Sequence, residues 1–157
     1  MEKILISLKD MFIYKQMTLS IAESLTGGLI SKKITDVPGS SAFFKGSIIT
    51  YSVDSKLKLL NIPRNIIKKN GVVSKEAAAL MAANVKKVFD SDVGVGITGV
   101  AGPDLCEGKK AGLVFAAIFY KDLYTYEWHL RGKRDEIREE ATRLIIKNLL
   151  EVIGGKK

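Results

Sequence analysis

Along residues 17–99, short apolar runs alternate with segments of helical period, and this alternation limits the architecture more than any other feature of the chain. The run "MTLSIAE" alternates as a strand, with Leu19 and Ile21 on one face. "TGGLISKKITDV" reads as a helix whose two early glycines let another group approach the backbone. After a loop at "PGSSAFF", "GSIITYS" is rich in β-branched and aromatic residues and reads as a strand. "DSKLKLLNI" predicts a short helix capped by Asp54 or Ser55. Pro63 opens another, which Asn70 and Gly71 stop. Ser74 caps "KEAAALMAANVKKVFD", where alanines dominate. "DVGVGITG" is a strand broken up by glycines.

Three other segments complete the pattern. Ile4, Leu5, Leu8 and Phe12 have helical spacing over residues 3–15. "AGLVFAAIFY" and "LYTYEWHL" flank the turn Lys121-Asp122 as a hairpin, and residues 133–153 close with a charged amphipathic helix. Strand–helix alternation followed by a hairpin predicts a three-layer α/β/α domain around a mixed sheet. Ligands of such sheets sit beyond the carboxyl ends of the strands, which singles out residues 22–28, 50–56 and 97–110.

Composition narrows the chemistry. With 157 residues, 46% of them hydrophobic, one domain over residues 1–157 is expected. No apolar run reaches the length of a membrane span. The start is broken by Lys9, Asp10 and Lys15 and lacks a small-residue cleavage site, so a cytoplasmic protein is expected. Cys106 is the single cysteine and His129 the single histidine. A zinc or iron site is therefore not expected, nor is any cofactor, and Cys106 reads as a passive loop residue. The net charge of +8 is carried by scattered pairs such as Lys32-Lys33, Lys68-Lys69 and Lys109-Lys110. This pattern reads as a solvated surface, and no nucleic-acid partner is expected.

The stretch "SIAESLTGG" concentrates Glu23, Ser24, Thr26, Gly27 and Gly28 where a strand meets a helix. Backbone N–H groups at such a junction hold an anion or a developing oxyanion. Ser24 there is either a helix cap or a nucleophile, and a nucleophile needs a base. Lysine is an established partner of serine. "TYSVDSK" supplies Tyr51 and Lys56, and a helix start would lower the pKa of Lys56. The plain alternative is a lysine pointing to solvent. "GITGVAGP" is not a Walker loop; its glycines serve either a phosphate or close packing.

"TLSIAESLTGGLISKKITDVPGSSAFFKGSIITYSVDSKLKLL", then "GVVSKEAAALMA" and "VGVGITGVAGPD", resemble the CinA C-terminal-domain family of competence-damage-inducible proteins, whose characterised activity is nicotinamide-nucleotide amidase. The resemblance runs from about residue 5 to the end. It implies a five-stranded mixed sheet, a homodimer, no metal and a small-molecule nucleotide substrate. The implied reaction converts nicotinamide mononucleotide to nicotinic acid mononucleotide and ammonia. Ser24, Tyr51 and Lys56 match the family's catalytic serine, tyrosine and lysine. Glu23, Thr26, Gly27 and Gly28 would frame the substrate, with Ser40, Ser41 and Thr98 as candidates for its phosphate. The family's amino-terminal domain has no counterpart here, which suggests a stand-alone amidase. The alternative is a non-catalytic nucleotide-binding or competence-associated module. One departure stands out: "DLCEGKKAG" replaces a run that is glycine-rich in the family.

Overall fold

A computed structural model describes residues 1–155; the last two residues of the expected domain lie outside the described residues. Helix α1 (Glu2–Tyr14) leads into β1 (Leu19–Glu23), α2 (Leu29–Thr35) and β2 (Phe44–Ile49). Helices α3 (Val53–Leu60), α4 (Arg64–Asn70) and α5 (Lys75–Phe89) follow before β3 (Val93–Gly99). The chain ends with β4 (Leu113–Phe119), β5 (Leu123–His129) and α6 (Arg134–Ile153). The five strands form one mixed sheet in the order β2-β1-β3-β4-β5. β1 runs parallel to β2 and β3, and β4 is antiparallel to both β3 and β5. The carboxyl ends of β1, β2, β3 and β5 therefore share one edge of the sheet.

Alternation in β3 decides what each face packs against. Val93, Val95 and Ile97 join Leu19 and Ile21 in a core with α1, α2 and α6, where Leu8, Phe12, Ile34 and Ile145 are at most 1% exposed. Burying such side chains stabilises the fold by roughly 1.5–3 kcal/mol each. On the other face Gly94 and Gly96 leave the strand bare. A Cβ at Gly94 would strike the Ala82 carbonyl, and one at Gly96 the Ala78 carbonyl. Helix α5, with Ala78 and Ala82 turned inward, thus lies almost on the sheet backbone. The glycines of "DVGVGITG" serve close packing.

Two local expectations change. Gly27 and Gly28 do not start the helix; they precede it, with φ of 58° and 96°. Only glycine adopts these values without a steric cost. The cap of α3 is Ser52 rather than Asp54 or Ser55. Ser52 Oγ accepts from the Ser55 N–H, and Ser55 Oγ accepts from the Ser52 N–H, each at 3.1 Å. A reciprocal pair satisfies two helix-end donors at once, which outweighs a single cap one turn later. Among the described residues no helix is long and apolar enough to cross a membrane.

Candidate active site

The shared carboxyl edge carries a cavity of about 450 Å³, within the usual range for small-molecule sites. Ser24, Leu25, Tyr51, Lys56, Thr98 and Arg134 line it, together with Val72, Val73, Asp104 and Cys106. All three loops expected to meet a ligand contribute to it.

Its floor is built outward from β1. The pairing of β1 with its neighbours continues past the strand ends: the Ser24 N–H donates to the Ile97 carbonyl (3.1 Å) and the Thr50 N–H to the Glu23 carbonyl (2.8 Å). Ser24 then lies beside the chain leaving β2. The Thr50 carbonyl accepts from Lys56 Nζ at 2.6 Å, and Lys56 Nζ lies 3.0 Å from Ser24 Oγ. Lys56 is 1% exposed, an uncommon position for a lysine. Burial pulls its pKa from 10.5 down to about 8, against the opposing pull of Cys106 and Glu107. Burial, rather than the expected field of the helix start, is the leading cause.

Glu23 is wholly buried and faces α2, not the cavity. Its carboxylate accepts from the N–H groups of Gly28 (3.0 Å), Ile30 (3.2 Å) and Ser31 (2.9 Å), and from the Ser31 hydroxyl. It satisfies donors that a helix start leaves free. The Gly27 N–H donates to the Ser24 carbonyl at 3.1 Å. Gly27 and Gly28 therefore have no N–H to offer an anion, and Thr26 is wholly buried outside the cavity lining. Arg138 of α6 donates to the carbonyls of Leu25 (3.0 Å) and Thr26 (2.8 Å), locking the turn from behind.

Tyr51 reaches the cavity rim, but its hydroxyl accepts from Arg134 Nη2 at 2.6 Å rather than meeting Lys56. Arg134 also donates to the Gly102 carbonyl at 2.6 Å. The sequence reading missed Arg134. The one available signal was a cation at a helix start, where the dipole favours an acid. Thr98 lines the cavity with its hydroxyl donating to the Val72 carbonyl at 2.8 Å. Ser40 and Ser41 lie elsewhere, in a 3-10 turn before β2 and hence at the opposite edge of the sheet. Ser40 Oγ is bonded to the Ile34 and Val37 carbonyls, both at 2.6 Å. Cys106, expected as a passive loop residue, is half-buried in the cavity wall. His129 stands exposed on β5 beside Glu127, at 2.8 Å. Among the described residues no group of three or more His, Cys, Asp or Glu is placed to hold a metal ion.

Comparison with known proteins places this chain in a family. The family model described as CinA C-terminal domain matches residues 1–153. A CinA-like protein of Petrotoga mobilis is 40% identical over 150 residues, which cover 94% of this chain and 37% of the relative. The chain spans about a third of the length of the curated relatives it matches. A solved competence-damaged protein (CinA) superfamily protein from Escherichia coli superposes with a TM-score of 0.93 at 29% identity, covering 95% of this chain and 88% of that one. The competence damage-inducible protein A from Klebsiella pneumoniae shares the fold, with a TM-score of 0.95 at 22% identity over 99% of this chain and 98% of its own. The chain belongs to the CinA C-terminal domain family.

Proposed function

We propose that this protein is an amidohydrolase that converts nicotinamide mononucleotide to nicotinic acid mononucleotide and ammonia. The observation that carries the reading is the 3.0 Å approach of Lys56 Nζ to Ser24 Oγ at the floor of an open cavity, with the lysine buried and its pKa near 8. A lysine so tuned is in part a free amine near neutral pH, and at the same distance it accepts the Ser24 proton.

Ser24 Oγ attacks the carboxamide carbon while Lys56 takes its proton. The tetrahedral oxyanion falls to the Leu25 N–H, which follows the nucleophile directly, lines the cavity and has no acceptor among the described residues. Lys56 returns the proton to the departing amino group, which leaves as ammonia. Water then attacks the acyl-enzyme, Lys56 accepts one of its protons, and collapse returns that proton to Ser24 and frees the carboxylic acid, which releases its own proton to solvent or to the ammonia. Leu25, Val72, Val73 and Val100 offer an apolar slot for a flat ring. Arg134 at the rim suits the substrate's phosphate. Tyr51, accepting from Arg134, keeps its own proton to donate to the substrate there. A homodimer, and a cytoplasmic location suited to a chain with a single thiol, complete the proposal; light scattering tests the first.

The purified protein is incubated with nicotinamide mononucleotide, and ammonia and the acid product are measured. Stoichiometric release of both supports the reading. Binding without turnover would favour the non-catalytic nucleotide-binding module.

A further inference from the structure

The loop at residues 103–112 ends one wall of the cavity, and two side chains, Glu107 and Lys109, tie it down. Cys106 and Lys109 pair as a minimal hairpin, with N–H to carbonyl bonds of 3.1 and 2.9 Å. Glu107 and Gly108 form its turn with φ of 53° and 73°. Such turns favour Asn or Asp before Gly, and a glutamate at positive φ is a strained choice. What glutamate adds is reach. Its carboxylate leaves the loop and accepts from the N–H groups of Val72 (2.9 Å) and Val73 (3.3 Å). Gly71 lies beneath it, and a Cβ there would collide with Glu107 Oε2. Lys109 Nζ completes the tie, donating to the Val73 carbonyl at 2.7 Å and to Glu107 at 3.4 Å. Opposite, Thr98 Oγ1 holds the Val72 carbonyl. Two stretches of cavity wall, Val72-Val73 and Asp104 with Cys106, are thus fastened together by Glu107 and Lys109, neither of which lines the cavity.

We propose that Glu107 is a positioning residue for substrate affinity, latching the 103–112 loop onto Val72 and Val73 so that Asp104 and Cys106 close one side of the Ser24–Lys56 cavity. The substrate effect rests on the amidase reading above; the latch itself does not. Glu107→Ala removes two of the three bonds that tie the loop to Val72 and Val73 and leaves the one from Lys109, which loosens the loop. The expected result is a KM for nicotinamide mononucleotide about tenfold higher with kcat within about twofold, the loss of a hydrogen-bonded charge's hold on a binding wall. Glu107→Gln, whose amide offers one acceptor oxygen and a repelled NH2, falls between.

Cys106, the only thiol of the chain, reports the loop without any substrate. Its alkylation by iodoacetamide is expected to be several-fold faster in Glu107→Ala than in the wild type, with thermal melts confirming that both variants are folded. Unchanged alkylation in both variants would overturn the latch. Faster alkylation with unchanged KM, or a fall in kcat at unchanged KM, would overturn the positioning role. If the wild type does not turn over nicotinamide mononucleotide, the amidase reading fails, and the alkylation rates alone still decide the latch.

Discussion

Two carboxylates clamp the two sides of the same cavity, and they differ in what surrounds them. Glu23 is wholly buried and takes four donors at the start of α2, so the turn that presents Ser24 is fixed by the core. Glu107 makes the same kind of bond to two N–H groups, but its side chain is 34% exposed and rests on a surface loop. Burial opposes the charge of Glu107, yet the Val72 and Val73 bonds and Lys109 outweigh it and hold the carboxyl below its usual range. Identical chemistry makes one side part of the fold and the other an adjustable wall. Water would replace the partners of Glu107, whereas the Glu23 carboxylate is wholly buried and so depends on its four donors.

The sharpest tests exploit that contrast. Ser24→Ala removes the group the rigid side exists to present. Turnover is expected to fall by a factor on the order of 10⁴ or more, with the melting temperature little changed. Near wild-type turnover would show that the rigid side does not carry the nucleophile.

Glu23→Ala takes the acceptor from the buried Ile30 N–H and from the half-buried N–H groups of Gly28 and Ser31. A loss of about 3–5 kcal/mol is expected in urea unfolding, against under about 1 kcal/mol for Glu107→Ala, whose bonds are shared with solvent. Equal losses would erase the distinction between the two clamps.

Lys56 lies between the clamps and tests the floor. Its folded pKa, about 8, is below its unfolded 10.5. Below pH 8 both states are protonated and the full burial penalty is present; it is relieved as pH rises from 8 to 10.5. Lys56→Met removes a penalty of about 3 kcal/mol and leaves the Thr50 carbonyl without its donor. A net gain of about 1–2 kcal/mol at pH 7, shrinking toward pH 10.5, is expected together with loss of turnover. A variant less stable than wild type at pH 7 would show that Lys56 is not held against its charge.

The smallest effect links the two sides. The rate is expected to rise with pH through an apparent pKa near 8 as Lys56 becomes a free base. Glu107 supports the ammonium form, so Glu107→Ala should move that rise to slightly lower pH, and less in high salt. A shift to higher pH would mean that the loop acts on Lys56 by changing its burial.

The sequence by itself determined what neighbours along the chain decide. The Ser74 cap, the stop at Gly71, the β4–β5 hairpin and the strand–helix order were all legible, because each rests on residues a few positions apart. Spacing left Ser24 and Lys56 open between a site and plain roles; the family resemblance grouped them with Tyr51, and the structure puts all three in one cavity lining. The fate of each side chain was not. Glu23 looked like a site residue until the tertiary structure turned it toward α2. Ser40 and Ser41 looked like phosphate contacts, but parallel pairing of β1 with β2 puts them at the far edge of the sheet. Arg134 reaches Tyr51 across 83 positions only because β5 ends at the same edge as β1. The pKa of Lys56 depends on burial, and burial is a property of the packed layers that no local pattern contains.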